Sequence, residues 1–256
     1  MKQNVIAIIN QKGGVGKTTT AVNLSAYLAK GNHTVLLVDF DPQGNATSGL
    51  GVDKNNLIVS TYEVLLEPSK FVDAVRETHI PNLYLLPSNA SLAAAEVELV
   101  DMPEREFKLK QTLELAHYDY VIIDCPPALG LLTINTLVAA NNAVIPVQAE
   151  YYALEGLGQL LSVVQRVRET INPDLELLGI VLTMYDKRII LAEQVMGELK
   201  KHFGDKLLET VIPRNVRLAE APGFGRTIIE HDKWSKGARA YKQLAKEIEK
   251  YAVITS

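Results

Sequence analysis

Seven short apolar runs, separated by longer amphipathic stretches, constrain this chain more than any other feature. They are Val5–Ile9, Val35–Val38, Leu83–Leu86, Tyr120–Ile123, Ala143–Val147, Leu177–Leu182 and Leu208–Ile212. Runs with little polar alternation suit strands buried on both faces. Between them, Thr18–Lys30, Ser91–Val100, Arg105–Leu115, Gly130–Ala140, Ala153–Thr170 and Leu191–Phe203 read as helices. Strand alternating with helix predicts an α/β fold, a mostly parallel twisted sheet flanked by helices on both faces with right-handed crossovers. No repeat, low-complexity tract or linker divides the 256 residues, so a single domain is expected over 1–256. With 47% hydrophobic and 22% charged residues, the disordered, collagenous and coiled-coil classes are excluded.

The one cysteine, Cys125, cannot form an internal disulfide, and no Cys/His cluster offers tetrahedral metal ligands. The start Met1-Lys2-Gln3-Asn4 leads into an apolar run broken at Gln11-Lys12, with neither the apolar region nor the cleavage site of a signal peptide, so no secretory signal is expected. No stretch is long and apolar enough to span a membrane. A cytoplasmic location is expected.

Three segments break the rhythm, each after a strand-like run: Gln11–Lys17, Asp39–Gly51 and Asp124–Gly130. Ligands of open α/β sheets bind beyond the carboxyl ends of the strands, so the three loops are expected to share one edge and one site. In the first, Gly13, Gly14 and Gly16 let the backbone approach a polyphosphate, and the following helix presents its positive end. Lys17 is placed to reach the β- and γ-phosphates and the Thr18 hydroxyl to ligate Mg²⁺. The strict pattern GxxxxGK[ST] fails, because Gln11 stands where its first glycine belongs, and a second lysine, Lys12, precedes the glycines. A dinucleotide fingerprint fits worse, since Thr19 stands where it needs glycine or alanine.

The run Lys12-Gly-Gly-Val-Gly-Lys-Thr-Thr19 resembles the deviant Walker A motif of the ParA/MinD class of P-loop ATPases. Val38-Asp-Phe-Asp-Pro-Gln-Gly-Asn45, Ile123-Asp-Cys-Pro-Pro127, Glu150-Tyr-Tyr-Ala-Leu-Glu-Gly156 and Val211-Ile-Pro-Arg-Asn-Val-Arg217 extend the resemblance to the small chromosomal ParA proteins called Soj, over nearly the whole chain. The resemblance implies an ATP hydrolase, slow and partner-stimulated. Lys12, Gly13, Gly14, Val15, Gly16, Lys17, Thr18 and Thr19 would hold ATP, with Pro213 and Asn215 beside adenine. Asp41 would orient the attacking water; by position alone, an aspartate before Pro42 and Gly44 could equally be turn chemistry. Asp124, ending a β-run, would hold the Mg²⁺ shell directly or through water. Lys12 would reach across a two-fold axis to the other subunit's ATP, so that dimerisation depends on ATP. Cys125 reads as a small buried residue rather than a nucleophile.

The net charge of −4 counts against a nucleic-acid partner until its distribution is considered. Residues 1–150 carry 10 Lys+Arg against 16 Asp+Glu, whereas Met184–Lys242 carries 12 against 8. Lys187, Arg188 and Arg217 fall in turns after strands, at positions resembling those with which Soj proteins touch DNA. An ATP-joined homodimer would double the patch and bind duplex DNA without sequence preference, bringing the protein to the nucleoid. The resemblance also implies a ParB-type partner, bound at centromere-like sites, that stimulates hydrolysis.

The rival is a MinD-type membrane ATPase, whose mark is a basic amphipathic carboxyl-terminal helix. Here Tyr241, Leu244, Ala245, Ile248 and Tyr251 form a helical stripe, but no lysine follows Lys250, so docking on the domain is expected and membrane attachment is not. An iron-protein type of electron-transfer ATPase needs paired cluster cysteines, which are missing. A tyrosine kinase of the superfamily carries a tyrosine-rich tail, which two isolated tyrosines do not resemble. The helix Ala153–Thr170 holds more leucine and valine than one face needs, and full burial is expected of it, the alternative being that it lends one stripe to a partner.

Overall fold

The computed structural model describes residues 3–150 and 153–254. Eight strands form one sheet: β1 Asn4–Ile8, β2 Val35–Asp39, β3 Arg76–Glu77, β4 Leu83–Leu86, β5 Tyr120–Asp124, β6 Asn142–Gln148, β7 Glu176–Tyr185 and β8 Leu207–Pro213. Their order is β3-β4-β2-β5-β1-β6-β7-β8, parallel throughout except for β3, which runs antiparallel to β4 at the edge. All seven expected strands are present, within three residues at either end. β3 was not foreseen, because two residues carry no periodicity to read.

Every residue of β2 and β5 is buried, the condition that erased polar alternation from their sequences. One face of the sheet packs against Leu92–Glu98, Lys108–Leu113, Leu131–Ala139, Ala153–Thr170 and Ile190–Phe203. The other lies under the helix Lys17–Lys30 and the carboxyl-terminal helix Lys236–Ile254. Lys17–Lys30 is buried on nearly all sides because that outer helix covers it, and Thr20 Oγ1 meets Tyr241 Oη at 3.1 Å between them.

Tyr241, Leu244, Ala245 and Ile248 are buried in this second core, so the stripe docks on the domain as expected, except at Tyr251, which is 38% exposed. Thr255 and Ser256 lie outside the described residues. The expectation for Ala153–Thr170 fails. Leu157, Leu160, Val164 and Val167 are buried, whereas Glu155, Gly158, Gln159, Ser162, Gln165 and Arg166 face solvent. Its surplus apolar residues, Leu154, Leu161 and Val163, flank the buried stripe as half-covered shoulders, which widens the apolar face without enclosing the helix.

β1 sits between β5 and β6, and the chain builds the sheet outward on both sides of it. That is a topological switch point, where a crevice opens at the carboxyl edge. The loops after β1, β2 and β5 leave adjacent strands at that edge.

Candidate functional site

The loop after β1 is held at both flanks. Asn10 donates through Nδ2 to the Pro146 carbonyl at 2.7 Å and accepts the Lys12 amide at 2.9 Å. Thr183, on β7, donates through Oγ1 to the Val15 carbonyl at 2.7 Å, and Val15 is buried. Gly14 and Gly16 have φ of +74° and +91°, a region side chains with a Cβ resist. The left-handed turn at Gly16 starts the helix at Lys17, whose first turn includes Thr18 and Thr19 and has no side-chain cap. Its free amides remain available to an anion. A Cβ on Gly13 or Gly14 would meet nothing within 4 Å, so this backbone borders open space.

Lys17 is buried, with Nζ donating to the Lys12 carbonyl at 3.1 Å. Burial lowers its pKa, and Asp124, Cys125 and Asp41 pull the other way. Asp124 is fully buried and pairs in register with Ile8 and Asp39 on the flanking strands. Burial, then the neighbouring Asp39, pushes its pKa well up. Among the described residues neither carboxylate oxygen has a well-formed hydrogen bond, although the Thr18 hydroxyl lies alongside. An orphaned buried carboxylate beside a hydroxyl is a pair of hard oxygen donors lacking a cation, and Mg²⁺ fits that chemistry.

Asp39 is also fully buried, but its Oδ2 accepts the Thr47 amide and hydroxyl at 2.7 and 2.6 Å, which commits it to holding the loop after β2. Burial pushes its pKa up to about 6. Asp41 lies beyond it, 6% exposed, with Oδ1 accepting the Gln43 amide at 2.9 Å and its other oxygen uncommitted by that bond. Gly44, at φ +58°, closes this loop, and a Cβ there would sit 2.7 Å from the Ser88 carbonyl. Cys125 is buried and its thiol pKa is driven up by burial, the opposite of a nucleophile's.

Lys12 and Glu150, each 44% exposed, form an ion pair across the loop. Gln11 donates through Nε2 to the Gly156 carbonyl at 3.1 Å and to Gln159 Oε1 at 3.2 Å, tying the loop to the helix Ala153–Thr170. Tyr151 and Tyr152 of the adjoining motif lie outside the described residues. The contributions of Gln11, Glu150 and Thr183 escaped the sequence reading. Gln11 was visible as a departure from glycine, but its partners are over a hundred residues away.

Pro213 and Asn215 line a cavity of about 420 Å³ with Gly16, Thr19 and Met184. Asn215 Oδ1 accepts the Arg217 amide at 2.9 Å and caps Val216–Glu220. Met184 has φ +50°, an uncommon conformation for a residue with a side chain, at the cavity wall.

Lys187 and Arg188 follow β7, Arg217 follows β8, and the two turns are neighbours because Arg214 N donates to the Tyr185 carbonyl at 3.1 Å. All three side chains are exposed. Arg188 pairs with Asp186 at 2.6 Å, lowering the Asp186 pKa, and Arg217 pairs with Glu220 at 2.9 Å. Such exposed pairs are readily exchanged for another anion.

The AAA domain family model matches residues 3–177. The sporulation initiation inhibitor protein Soj of Bacillus subtilis is 55% identical over 246 residues, covering 95% of this chain and 97% of the relative. The chromosome partitioning protein ParA of Myxococcus xanthus is 50% identical over 248 residues, covering 96% and 88%. Among solved structures, cobyrinic acid a,c-diamide synthase of Mycobacterium smegmatis with ADP and magnesium superposes with a TM-score of 0.87 at 38% identity, covering 100% of this chain and 97% of that one. The septum site-determining protein MinD of Pyrococcus horikoshii with Mg-ADP gives 0.79 at 28% identity, covering 100% and 99%. The length and level of these matches, on a deviant phosphate loop at a sheet switch point, place the chain in the Soj/ParA family of chromosome-partitioning ATPases.

Proposed function

We propose that this chain is an ATP-driven switch for chromosome or plasmid segregation, in which ATP joins two copies into a DNA-binding dimer and hydrolysis releases them. The observation that carries the reading is Asp124, buried and unsatisfied at the carboxyl end of β5, beside the Thr18 hydroxyl and under the influence of the Lys17 charge. The ADP and magnesium of the Mycobacterium smegmatis relative support it.

The amides of Gly13 to Thr19 bind the phosphates, the Lys12 amide being held by Asn10, and Lys17, desolvated and therefore weakly screened, neutralises the β- and γ-oxygens. Thr18 and Asp124 hold Mg²⁺, which when bound offsets phosphate charge. Asp41, steadied by the Gln43 amide, orients water in line with the γ-phosphorus. Pro213 and Asn215 meet adenine, where the Asn215 amide nitrogen stays free to donate while its oxygen caps a helix. Lys12 leaves Glu150 and reaches the partner subunit's ATP. Lys187, Arg188 and Arg217 give their exposed charge to duplex phosphates, holding the ATP form on the nucleoid. Hydrolysis is slow alone and accelerated by a ParB-type protein.

Light scattering with ATP or ADP, with and without nonspecific duplex DNA, tests the reading. A dimer with Mg-ATP alone, retained on DNA, is expected. A monomer under both nucleotides overturns it, and ATP-dependent attachment to anionic liposomes without DNA binding would install the MinD-type reading.

A further inference from the structure

At the far end of the helix Lys17–Lys30 from the phosphate loop, a cavity of about 390 Å³ opens against the carboxyl-terminal helix. A helix of 14 residues spans about 20 Å, so the hollow is separate from the nucleotide crevice. Lys30, Lys233, Lys242 and Lys246 line it with Tyr27 and Trp234.

The nearby carboxylates are occupied elsewhere. Glu249, on the cavity wall, meets His33 at 3.1 Å, and Glu247 accepts the amides of Glu209 and Thr210 at 2.7 and 3.0 Å. Asp232 accepts the Trp234 amide at 3.1 Å and lies 3.8 Å from Arg217. Among the described residues, none of the four lysines is within ion-pairing distance of an acid. Four like charges around one hollow repel one another until an anion enters. The indole beside them is 78% exposed, and Lys233 Nζ lies 5.3 Å from its ring centroid. A large flat apolar surface left in water next to uncompensated cations suits a ligand that is anionic and planar at once.

We propose that this cavity holds an unpaired nucleotide of a single-stranded nucleic acid, its base stacked on Trp234 and its phosphates on Lys30, Lys242 and Lys246. Duplex DNA satisfies the lysines alone, because its bases are already stacked on one another and leave the indole without a partner. A lipid surface calls for several protruding bulky apolar groups, whereas Ile229 is half-buried and Ala245 buried in a concavity with one indole at its rim.

Trp234 is the single tryptophan of the chain, so stacking reads directly as quenching of intrinsic fluorescence. Titration of the full chain with a 20-residue oligothymidylate is expected to quench it saturably, with a log–log salt slope of about −0.7 per phosphate neutralised. By anisotropy of the labelled oligonucleotide, Trp234→Ala is expected to weaken binding about tenfold. The double variant Lys242→Glu/Lys246→Glu is expected to weaken it at least as much while ATP binding and far-ultraviolet dichroism stay unchanged. Arg188→Ala, whose side chain pairs with Asp186 and not with the Asp232 that holds the Trp234 amide, is expected to leave the quenching intact. Equal affinity for a duplex of the same length with no effect of Trp234→Ala overturns the proposal, as does quenching by phosphatidylserine vesicles but not by oligothymidylate. Loss of quenching in Arg188→Ala overturns the separateness of the site.

Discussion

The side chain of Lys17 is anchored to the carbonyl of Lys12 at 3.1 Å, so the first lysine of the loop positions the second through its backbone while its own side chain lies out on Glu150. The two ammonium groups therefore separate by role, one buried inside the site and one exposed at its rim. Lys17→Ala removes the buried lysine of the glycine loop and is expected to abolish ATP binding by equilibrium dialysis. Asp41→Ala leaves the cradle whole; it is expected to bind ATP within a few-fold of the parent, lose phosphate release at least a hundredfold, and accumulate as a dimer. A variant at Asp41 that hydrolyses normally, or stays monomeric with ATP, removes that residue from the mechanism.

Lys12→Ala keeps Lys17 and the loop amides. Nucleotide affinity is expected to change by less than tenfold, whereas the ATP-dependent shift in sedimentation coefficient disappears. Normal dimerisation would reduce Lys12 to an ordinary loop lysine paired with Glu150.

Arg188→Ala and Arg217→Ala are each expected to weaken duplex binding at least severalfold in a mobility-shift assay, with ATP-dependent dimerisation unchanged. Parent binding should fall with salt at a log–log slope of about −0.9 per phosphate and be nearly indifferent to sequence. A slope near zero is incompatible with a dimer that neutralises phosphates from both subunits.

Asp39 carries a pKa raised by burial from its ordinary value to about 6. The folded state thus holds a proton that the unfolded state has released, so stability contributed by the neutral form is full below pH 4 and lost as pH rises through about 6. Urea denaturation of nucleotide- and magnesium-free protein should show this component falling between those limits. Asp39→Asn should flatten it at some general loss, because the Thr47 amide and hydroxyl bonds are altered. An unchanged slope in that variant would assign the effect elsewhere.

The strands were legible because burial on both faces leaves unbroken apolar runs, and the site loops because glycine, proline and aspartate cluster where strands end. The short helices Asn45–Gly49, Thr61–Leu66 and Phe71–Ala74 were not, since four to six residues complete too little of a 3.6-residue period to register. Lys17 and Asp124 could be placed from local context alone. The capping of Val15 by Thr183 and the hold of Thr47 on Asp39 depend on which segments become neighbours, which apolar patterning leaves open. The wrong expectation for Ala153–Thr170 came from counting apolar residues without their angular spread: Leu154, Leu161 and Val163 broaden the stripe at its margins.

Gln11 clasps Gly156 and Gln159 from the position where a stricter phosphate loop has glycine, and a Cβ on Gly156 would come within 3.2 Å of that amide. The clasp joins a helix of 18 residues with one side in water to the peptide that carries Lys12. A phosphate-loop lysine and a surface-facing helix far along the chain thus share one side chain as their tie.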